Sequence, residues 1–299
     1  MLNNFCILQW NINGFFNNYD ELSILIKEKS PSFIALQETH LAAGKTATVP
    51  NQYFGYFSNL DANSTCKQGI GVLIKKSIHH KQIILQSNLS VLAFEINIGF
   101  VFSIVSIYIP PQQNFLPSDI KNIINSIHTP IVLLGDLNAW SPLWGSPRTN
   151  SRGKALEEVF LSEDLIVIND GLPTHFSSHA SFTHVDVISA SASLIPKISS
   201  LTLSDLYGSD HFPIVTNIQI SRSASFIHKP RFLTHLANWD NFKTISSDFS
   251  CKHPLSSNVD QEAEIIAKSI RYGAHYAIPQ SRPIKTNRVS PTGQLNSQN

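Results

Sequence analysis

Cysteine is scarce in this chain of 299 residues, and its three cysteines, Cys6, Cys66 and Cys251, lie far apart. An odd number of cysteines at such separations builds neither a disulfide framework nor the close cysteine pairs of a zinc site. The sequence therefore argues against a small disulfide-rich secreted fold and fits a reducing compartment. Since 42% of the residues are apolar, the chain can bury a sizeable core, and we expect one large domain with an appendage.

The chain also lacks a long apolar run. Its first ten residues contain no lysine or arginine, and Asn11 interrupts the apolar stretch that begins the sequence, unlike the basic start and apolar centre of a secretory signal. No apolar stretch reaches the roughly 20 residues that a membrane-spanning helix needs. The sequence thus predicts a soluble intracellular protein, nuclear or cytoplasmic, that is not secreted and has no membrane partner.

Charged residues make up only 14% of the chain, and they are unevenly placed. Residues 1–221 hold 12 Lys and Arg against 16 Asp and Glu, a net charge of −4, whereas residues 222–299 hold 10 against 5, a net charge of +5. An acidic domain that binds phosphate needs a divalent cation or local basic loops to offset the repulsion. The basic tail either helps to hold a polyanion or is a solvated linker.

Short apolar runs bounded by turn residues recur up to about residue 220 and are typical of β-strands. These runs are residues 5–10, 33–37, 70–74, 91–98, 101–108, 131–135, 165–169, 182–188 and 214–220. Helix-like stretches lie at residues 19–29, 118–128 and 153–164. Many strands with few helices between them indicate a mixed α/β fold with more than one sheet, because a single doubly wound sheet alternates more regularly.

The pattern changes after residue 221. Residues 222–234 are polar and basic, a segment around Trp239 follows, and residues 260–276 have the pattern of a helix. The end of the chain, residues 279–299, contains three prolines and few apolar anchors. We therefore expect that end to remain unpacked.

Polar residues stand repeatedly at the ends of the predicted strands. They are Asn11, Glu38, Tyr108, Asp136, Asn138, Asp186 and the triplet Ser209-Asp210-His211. Taken singly, an Asn or Asp at a strand end is usually a turn former, and a Tyr on a strand usually packs in the core with a hydrogen-bonded tip. Together, these residues supply the components that metal-assisted hydrolysis of a phosphodiester needs.

The order of these residues resembles the endonuclease/exonuclease/phosphatase superfamily. The run GDLNAWSPLWGS that begins at Gly135, followed by Thr149-Asn150 and by Arg152-Gly153-Lys154, resembles the endonucleases of jockey-like non-LTR retrotransposons. The runs YIPP from Tyr108 and NDGLPT from Asn169 resemble them too. The resemblance covers residues 5–221, although residues 190–193 are less aliphatic than in typical members.

The resemblance implies a DNase I-like fold, a four-layer α/β sandwich in which helices flank two packed mixed β-sheets. It also implies an endonuclease/exonuclease/phosphatase domain over residues 1–221. Residues 222–299 are then a connector, partly helical and disordered at its C-terminus, of the kind that precedes a reverse transcriptase. No reverse transcriptase follows in this chain, so the sequence corresponds to a truncated copy or a fragment.

By resemblance, the domain hydrolyses DNA with Mg²⁺, or Mn²⁺ in its place, held by Glu38, Asn11 and Asp210. Hard cations prefer such oxygen ligands. The implied catalytic residues are Asp136, which activates water, Asn138, His211, Asp186, which fixes the His211 tautomer, and Tyr108. The implied substrate contacts are Thr174, Ser209, Arg148 and Arg152. Thr174 and Ser209 have capping or turn roles as the alternative, and the two arginines a solvated loop.

The implied function is nicking of double-stranded target DNA, which leaves a 3′-hydroxyl for target-primed reverse transcription in retrotransposition. Element RNA is a further partner through the missing polymerase. Two alternatives stay open: a catalytically inactive nucleic-acid-binding remnant of a decayed element, and another phosphoesterase of the same fold, such as an abasic-site nuclease. For Trp140 and Trp144, core packing is favoured over DNA stacking.

Overall fold

The computed structural model of the chain describes residues 4–41, 47–58, 69–177, 179–220, 232–253 and 258–280. The chain divides into two compact units, Met1–Arg222 and Ser223–Asn299. Cys66 lies outside the described residues. So do residues 281–299, which belong to the end of the chain that was predicted to remain unpacked. Within the described ranges, no helix combines the length and the apolar content that crossing a membrane requires.

Two six-stranded mixed sheets form the centre of the first unit. In chain order its strands are β1 (Asn4–Asn11), β2 (Phe33–Gln37), β3 (Tyr53–Ser58), β4 (Ile70–Lys75), β5 (His79–Ile83), β6 (Ser90–Asn97), β7 (Val101–Tyr108), β8 (Ile131–Asp136), β9 (Leu165–Val167), β10 (His175–Phe176), β11 (Phe182–Thr183), β12 (Asp186–Ser191), β13 (Ile198–Thr202) and β14 (Ile214–Gln219). The first sheet has the order β13-β14-β1-β2-β4-β3 and the second β5-β6-β7-β8-β12-β9, while β10 and β11 pair separately as a hairpin.

Each sheet contains one parallel pair, β1 with β2 and β7 with β8. Strand β14 runs antiparallel to β1, and β12 runs antiparallel to β8. The carboxyl ends of the parallel strands therefore lie at the edge where β12 and β14 begin. This arrangement gathers residues from distant parts of the sequence at one edge of each sheet.

Helices cover the outer faces of the two sheets. Helix α1 (Tyr19–Lys29) packs Leu22, Leu25 and Ile26 against the first sheet. Helices α2 (Pro117–Asn125) and α3 (Ser151–Ser162) pack against the second. A third apolar cluster fills the space between the sheets, where the rings of Phe5 and Phe102 meet edge to face at 5.7 Å. The predicted four-layer α/β sandwich is confirmed.

Burial on both faces explains the strands that the apolar runs predicted well. All five residues of β2 are buried, because one face meets the other sheet and the opposite face meets α1. Strands β3, β5 and β13 were not predicted, since their exposed, partly polar sequences lie at sheet edges. The run 182–188 is split into β11 and β12. Strand β12 ends at Ser191, and a 3-10 helix, Ala192–Lys197, follows, which accounts for the weakly aliphatic residues 190–193.

The second unit contains a pair of packed helices. Helix α4 (Trp239–Cys251) and helix α5 (Val259–Ala277) begin at Asn238 and Asn258, whose side chains cap them. Gly273 allows the helices to approach closely, because a Cβ at this position would lie 2.1 Å from Ser246 Oγ. A β-bridge between Phe232 and Gln280 joins the two ends of the described segment.

Candidate active site

The strand ends at the shared edge form an open cleft of about 330 Å³. Its lining includes Glu38 after β2, Asp136 and Asn138 at and after the end of β8, and Asp210 and His211 before β14. Asn11 ends β1, Tyr108 ends β7, and Asp186 begins β12 as the register partner of Asp136. The structure thus brings all the residues predicted as catalytic or metal-binding to one edge of the sandwich.

Four residues in or next to the cleft have a strained backbone. Asn13, Glu38, His40 and Asn138 have positive φ angles of 46°, 51°, 49° and 48°. This left-handed conformation costs a residue other than glycine roughly 1–2 kcal/mol. Backbone hydrogen bonds hold it, as from Gly14 N to Glu38 O at 2.8 Å. Strain that clusters in this way is typical of functional sites.

Gly135 allows the ends of β7 and β8 to approach each other. A Cβ on this residue, whose φ is +148°, would lie 1.8 Å from the carbonyl oxygen of Ile107. The close approach places Ile109 N 3.0 Å from Asp136 O. A glycine is therefore required immediately before Asp136, because no side chain fits at position 135.

The deep half of the cleft consists of Asp136, Asp186 and His211. Both carboxylates are 0% exposed and His211 is 5% exposed. His211 Nδ1 lies 2.8 Å from Asp186 Oδ2, and His211 Nε2 lies 4.0 Å from Asp136 Oδ2. A carboxylate only accepts hydrogen bonds, so Nδ1 carries a proton that it donates to Asp186. The other ring nitrogen is directed toward the cleft.

Burial and charge together set the protonation of this half. Burial lowers the pKa of His211, but the carboxylates of Asp186, Asp136 and Asp210 outweigh it and raise the pKa to about 10. Burial and the charge of Asp186 raise the pKa of Asp136 to about 7, although His211 and Asn11 oppose that shift. The site therefore holds a charged imidazolium next to a carboxyl that is more basic than usual.

Gln9 and Gln37 support the deep half, and neither was predicted as a functional residue. Gln9 Nε2 donates to Asp186 Oδ1 at 2.9 Å and to Gln37 Oε1 at 2.7 Å. Gln37 Nε2 donates to Ser106 Oγ at 3.2 Å. The sequence contained one hint of this role, a glutamine in each of two mainly apolar strands. A buried amide needs hydrogen-bond partners, so such a residue indicates a polar contact inside the fold.

The outer half of the cleft contains Glu38 and Asp210, whose side chains are 24% and 47% exposed. Tyr108 donates its hydroxyl hydrogen to Glu38 Oε1 at 2.8 Å, so in this structure it fixes the carboxylate. Asn13 Nδ2 donates to Asp210 Oδ1 at 3.2 Å. Burial raises the pKa of Asp210, but hydrogen bonding to His175 and the charge of His211 outweigh it and lower the pKa to about 2.

Two sets of side chains in the cleft offer ligand atoms for a divalent cation: the buried Asp136, Asp186 and His211, and the partly exposed Glu38 and Asp210. Ligand atoms of Asp136, Asp186 and His211 lie within 4.8 Å of one another, but the Asp186–His211 pair already hydrogen-bonds. Mg²⁺ also prefers oxygen to a ring nitrogen. Glu38 and Asp210 offer partly exposed carboxylate oxygens.

Asn11, which was predicted as a metal ligand, lies between the two halves of the cleft. Asn11 Nδ2 donates to Asp136 Oδ2 at 2.9 Å, and Asn11 Oδ1 accepts from Asn13 N at 3.2 Å. Its side chain is almost completely buried. Asn11 therefore fixes Asp136 directly and offers at most its carbonyl oxygen to a cation.

Two predicted substrate contacts are buried and hold the backbone instead. Thr174 Oγ1 accepts from the backbone N–H of Val185 and of Asp186, each at 3.1 Å. Ser209 Oγ donates to Asn11 O at 2.8 Å and accepts from His211 N at 3.2 Å. Both hydroxyls therefore hold backbone beside the cleft.

The two predicted arginine contacts differ from each other. Arg152 donates to the carbonyls of Ile109, Leu137 and Gln113 at 2.8–2.9 Å. Burial lowers its pKa. Both terminal nitrogens are thus bound to the loops that follow β7 and β8, whereas the buried Nε has no partner among the described residues. The bonds of the terminal nitrogens argue against a phosphate contact. Arg148 instead lies over the ring of Trp140, 5.1 Å from the ring centroid.

The two tryptophans also differ. Trp144 is fully buried against Phe160, with ring centroids 6.3 Å apart, as the core interpretation predicted. Trp140 lines the cleft and is only half-buried. Trp140 and Arg148 together form an exposed border of the cleft beside Asn138.

The comparisons with known proteins agree with this geometry. Residues 102–215 match the family model described as "Endonuclease-reverse transcriptase". The RNA-directed DNA polymerase from mobile element jockey of Drosophila melanogaster is 25% identical over 285 residues, which are 91% of this chain and 30% of that relative. The chain thus spans about 30% of the length of this curated relative.

Solved structures share the fold. The endonuclease domain of TRAS1, a telomere-specific non-LTR retrotransposon, has a TM-score of 0.62 and 21% identity, covering 72% of this chain and 98% of that one. The AP endonuclease of Leishmania major has a TM-score of 0.61 and 14% identity, covering 73% of this chain and 89% of that one. The chain therefore has the fold of these endonucleases, and residues 102–215 are similar to the endonuclease-reverse transcriptase family.

Proposed function

We propose that the chain is a magnesium-dependent endonuclease that nicks double-stranded DNA and leaves a 3′-hydroxyl for target-primed reverse transcription. The observation that carries the proposal is the convergence of Glu38, Asp136, Asn138, Asp210 and His211 on one open cleft. The similarity to a retrotransposon endonuclease domain and to an RNA-directed DNA polymerase supports DNA as the substrate. Element RNA is a further proposed partner, and the nucleus or cytoplasm the proposed location.

The deep half of the cleft would handle the proton and the phosphate. Asp136 accepts the proton of the attacking water, for which a raised pKa suits it. Asn138, whose backbone N–H donates to Asp136 Oδ1 at 3.2 Å, keeps that carboxylate in place. His211 donates from Nε2 to a phosphate oxygen, while Asp186 holds its other nitrogen at 2.8 Å.

The outer half of the cleft would hold the cation. Glu38 and Asp210 provide carboxylate oxygens, and Tyr108 keeps Glu38 oriented. A bound Mg²⁺ supplies charge that polarises the scissile phosphate and stabilises the leaving 3′-oxygen. Mn²⁺ fits the same donor set. The exposed border at Trp140 and Arg148 lies beside the path of the DNA backbone.

The test is conversion of supercoiled plasmid to open circles by the purified chain. We expect conversion with Mg²⁺ and none with chelator. Asp136→Ala should lower the rate by about 10³-fold or more, because general-base catalysis and the support of His211 are lost together. Asp20→Ala, which removes an exposed carboxylate from the first turn of α1, is the matched control and should retain the rate.

Two outcomes would favour the alternatives. Plasmid left supercoiled with every divalent metal would indicate a nucleic-acid-binding remnant without catalysis. Faster cleavage of an oligonucleotide with a single abasic site than of the intact duplex, by about 100-fold or more, would indicate an abasic-site nuclease, because that ratio exceeds what nonspecific contacts provide.

A further inference from the structure

The second unit carries a groove that the proposed nuclease chemistry does not use. Its volume is about 560 Å³, and it lies along helix α5. Its aromatic lining consists of Phe232, Phe249, Tyr272 and Tyr276. Its other lining residues are Lys268, Arg271 and His275, so every side chain that lines it is aromatic or basic. We call this surface the aromatic–basic groove.

The rings of the groove form a continuous row. Phe249 lies 5.3 Å from Tyr272, and Tyr272 lies 4.9 Å from Tyr276, measured between ring centroids. Tyr272 is 46% exposed and Tyr276 is 61% exposed. About half of each tyrosine is therefore exposed, which leaves aromatic surface on which a flat group can stack.

The cations lie on the same face of α5 as the tyrosines. Lys268, Arg271 and His275 are separated by three and four residues, which places them on neighbouring turns. The acidic residues Asp260 and Glu262 stand in the first turn of the helix, away from Tyr276 near its end. Glu264, the acidic residue of α5 that is closest in sequence to the groove residues, pairs with Lys268 at 3.0 Å, so Arg271 is the cation of the groove left for a phosphate.

The sequence on either side of this unit has the same sign of charge. Residues 221–231 and 281–299 together contain six Lys or Arg residues and no Asp or Glu. The β-bridge between Phe232 and Gln280 joins the ends of the described segment beside the groove, since Phe232 is one of its lining residues.

We propose that the aromatic–basic groove binds single-stranded DNA, with bases stacked on Tyr272 and Tyr276 and phosphates paired with Arg271. Single-stranded nucleic acid matches this lining, because its bases offer flat faces to the rings and its phosphates offer negative charge to Arg271 and Lys268. A strand of DNA is chosen over RNA because DNA is the substrate proposed for the first unit, and on this point the inference rests on the proposed function.

The first experiment measures fluorescence anisotropy of a labelled oligothymidine with the full chain in chelator, so that no cleavage occurs. The double variant Tyr272→Ala, Tyr276→Ala should bind at least about 30-fold more weakly, the smallest effect expected for loss of stacking on two rings. Ile270→Ala is the control, since Ile270 is exposed on the same helix but does not line the groove. Unchanged affinity in the double variant would overturn the proposal.

Two further measurements separate charge, strand type and location. Arg271→Gln should reduce the slope of log affinity against log salt by about 0.7, the value for one phosphate contact of a single strand. Cross-linking of iodouridine-substituted DNA, mapped by mass spectrometry, should modify Tyr272 or Tyr276. Cross-links confined to the first unit, or tighter binding of the same sequence as RNA or as duplex, would refute single-stranded DNA binding at this groove. Because no measurement requires cleavage, an inactive nuclease leaves the test valid.

Discussion

The two halves of the catalytic cleft differ in how completely the protein itself satisfies them. In the deep half, Asp186 accepts hydrogen bonds from Gln9 and His211, and Asp136 accepts from Asn11 and Asn138. In the outer half, the partly exposed carboxylates of Glu38 and Asp210 have oxygens near solvent. Under the proposed function, the deep half would act on protons as a preorganised unit, and a cation would complete the outer half.

This difference matters because the two halves should respond differently to metal. Buried groups in fixed hydrogen bonds lose their function when one partner is changed, and no solute replaces that partner. A metal site with one weakened ligand still binds its cation at higher concentration. Metal titrations of variants therefore distinguish the halves more sharply than activity at one concentration does.

The largest effect is expected in the deep half, for Asp186→Asn. The neutral amide no longer favours the Nδ1-protonated, charged His211, so the nicking rate should fall about 10³-fold. Raising the Mg²⁺ concentration should leave that deficit unchanged. Plasmid nicking is measured across a metal titration, with Asp20→Asn as the control and thermal unfolding as a check on the fold. Restoration of the rate by added metal would contradict the division into two halves.

A smaller and metal-sensitive effect is expected in the outer half, for Glu38→Gln. An amide retains an oxygen ligand but loses the charge that a hard cation prefers. The rate should fall about 100-fold at limiting Mg²⁺, and the half-saturating Mg²⁺ concentration should rise about tenfold or more. The exposed Glu158, which pairs with Lys121 at 3.1 Å, provides the control Glu158→Gln. An equal deficit at all metal concentrations would argue against Glu38 as a ligand.

A still smaller effect is expected for Gln9→Leu. Leucine removes the donor to Asp186 and to Gln37, and groups that orient a catalytic residue typically contribute about 10- to 100-fold. We expect the lower end of that range, in kcat with KM unchanged. In an Asp186→Asn background the same substitution should have little further effect, because the two residues act through one contact. If the two substitutions had additive effects in this double-mutant cycle, Gln9 would not act through Asp186.

The sequence predicted the parts of the molecule that depend on local pattern. Residues 33–37 and 101–108 match β2 and β7 residue for residue, since burial on both faces makes these strands mostly apolar. The order of the polar strand-end residues likewise identified the members of the cleft. Roles that depend on partners distant in sequence could not be predicted. Gln9 meets Asp186 across 177 positions of sequence, and no local pattern reports which side chains such strands bring together.

Arg152 shows the same limit, and it gives the prediction with the smallest expected effect on activity. The sequence suggested a phosphate contact, but its guanidinium donates to carbonyls of both loops beside the cleft, those of Ile109 and Leu137 among them. Arg152→Lys keeps the charge and loses the planar fork. We expect a loss of about 1–3 kcal/mol in the free energy of unfolding, measured with urea. The nicking rate should fall less than about tenfold.

The matched variant is Arg148→Gln, at the border formed with Trp140. Because an exposed arginine that meets a phosphate releases counterions, this change should reduce the salt dependence of DNA binding by about 0.9 in log–log slope while leaving stability unchanged. Arg152→Lys should do the reverse, lowering stability and leaving the slope as it was. If Arg152→Lys reduced the slope while Arg148→Gln did not, the phosphate contact would belong to Arg152 after all.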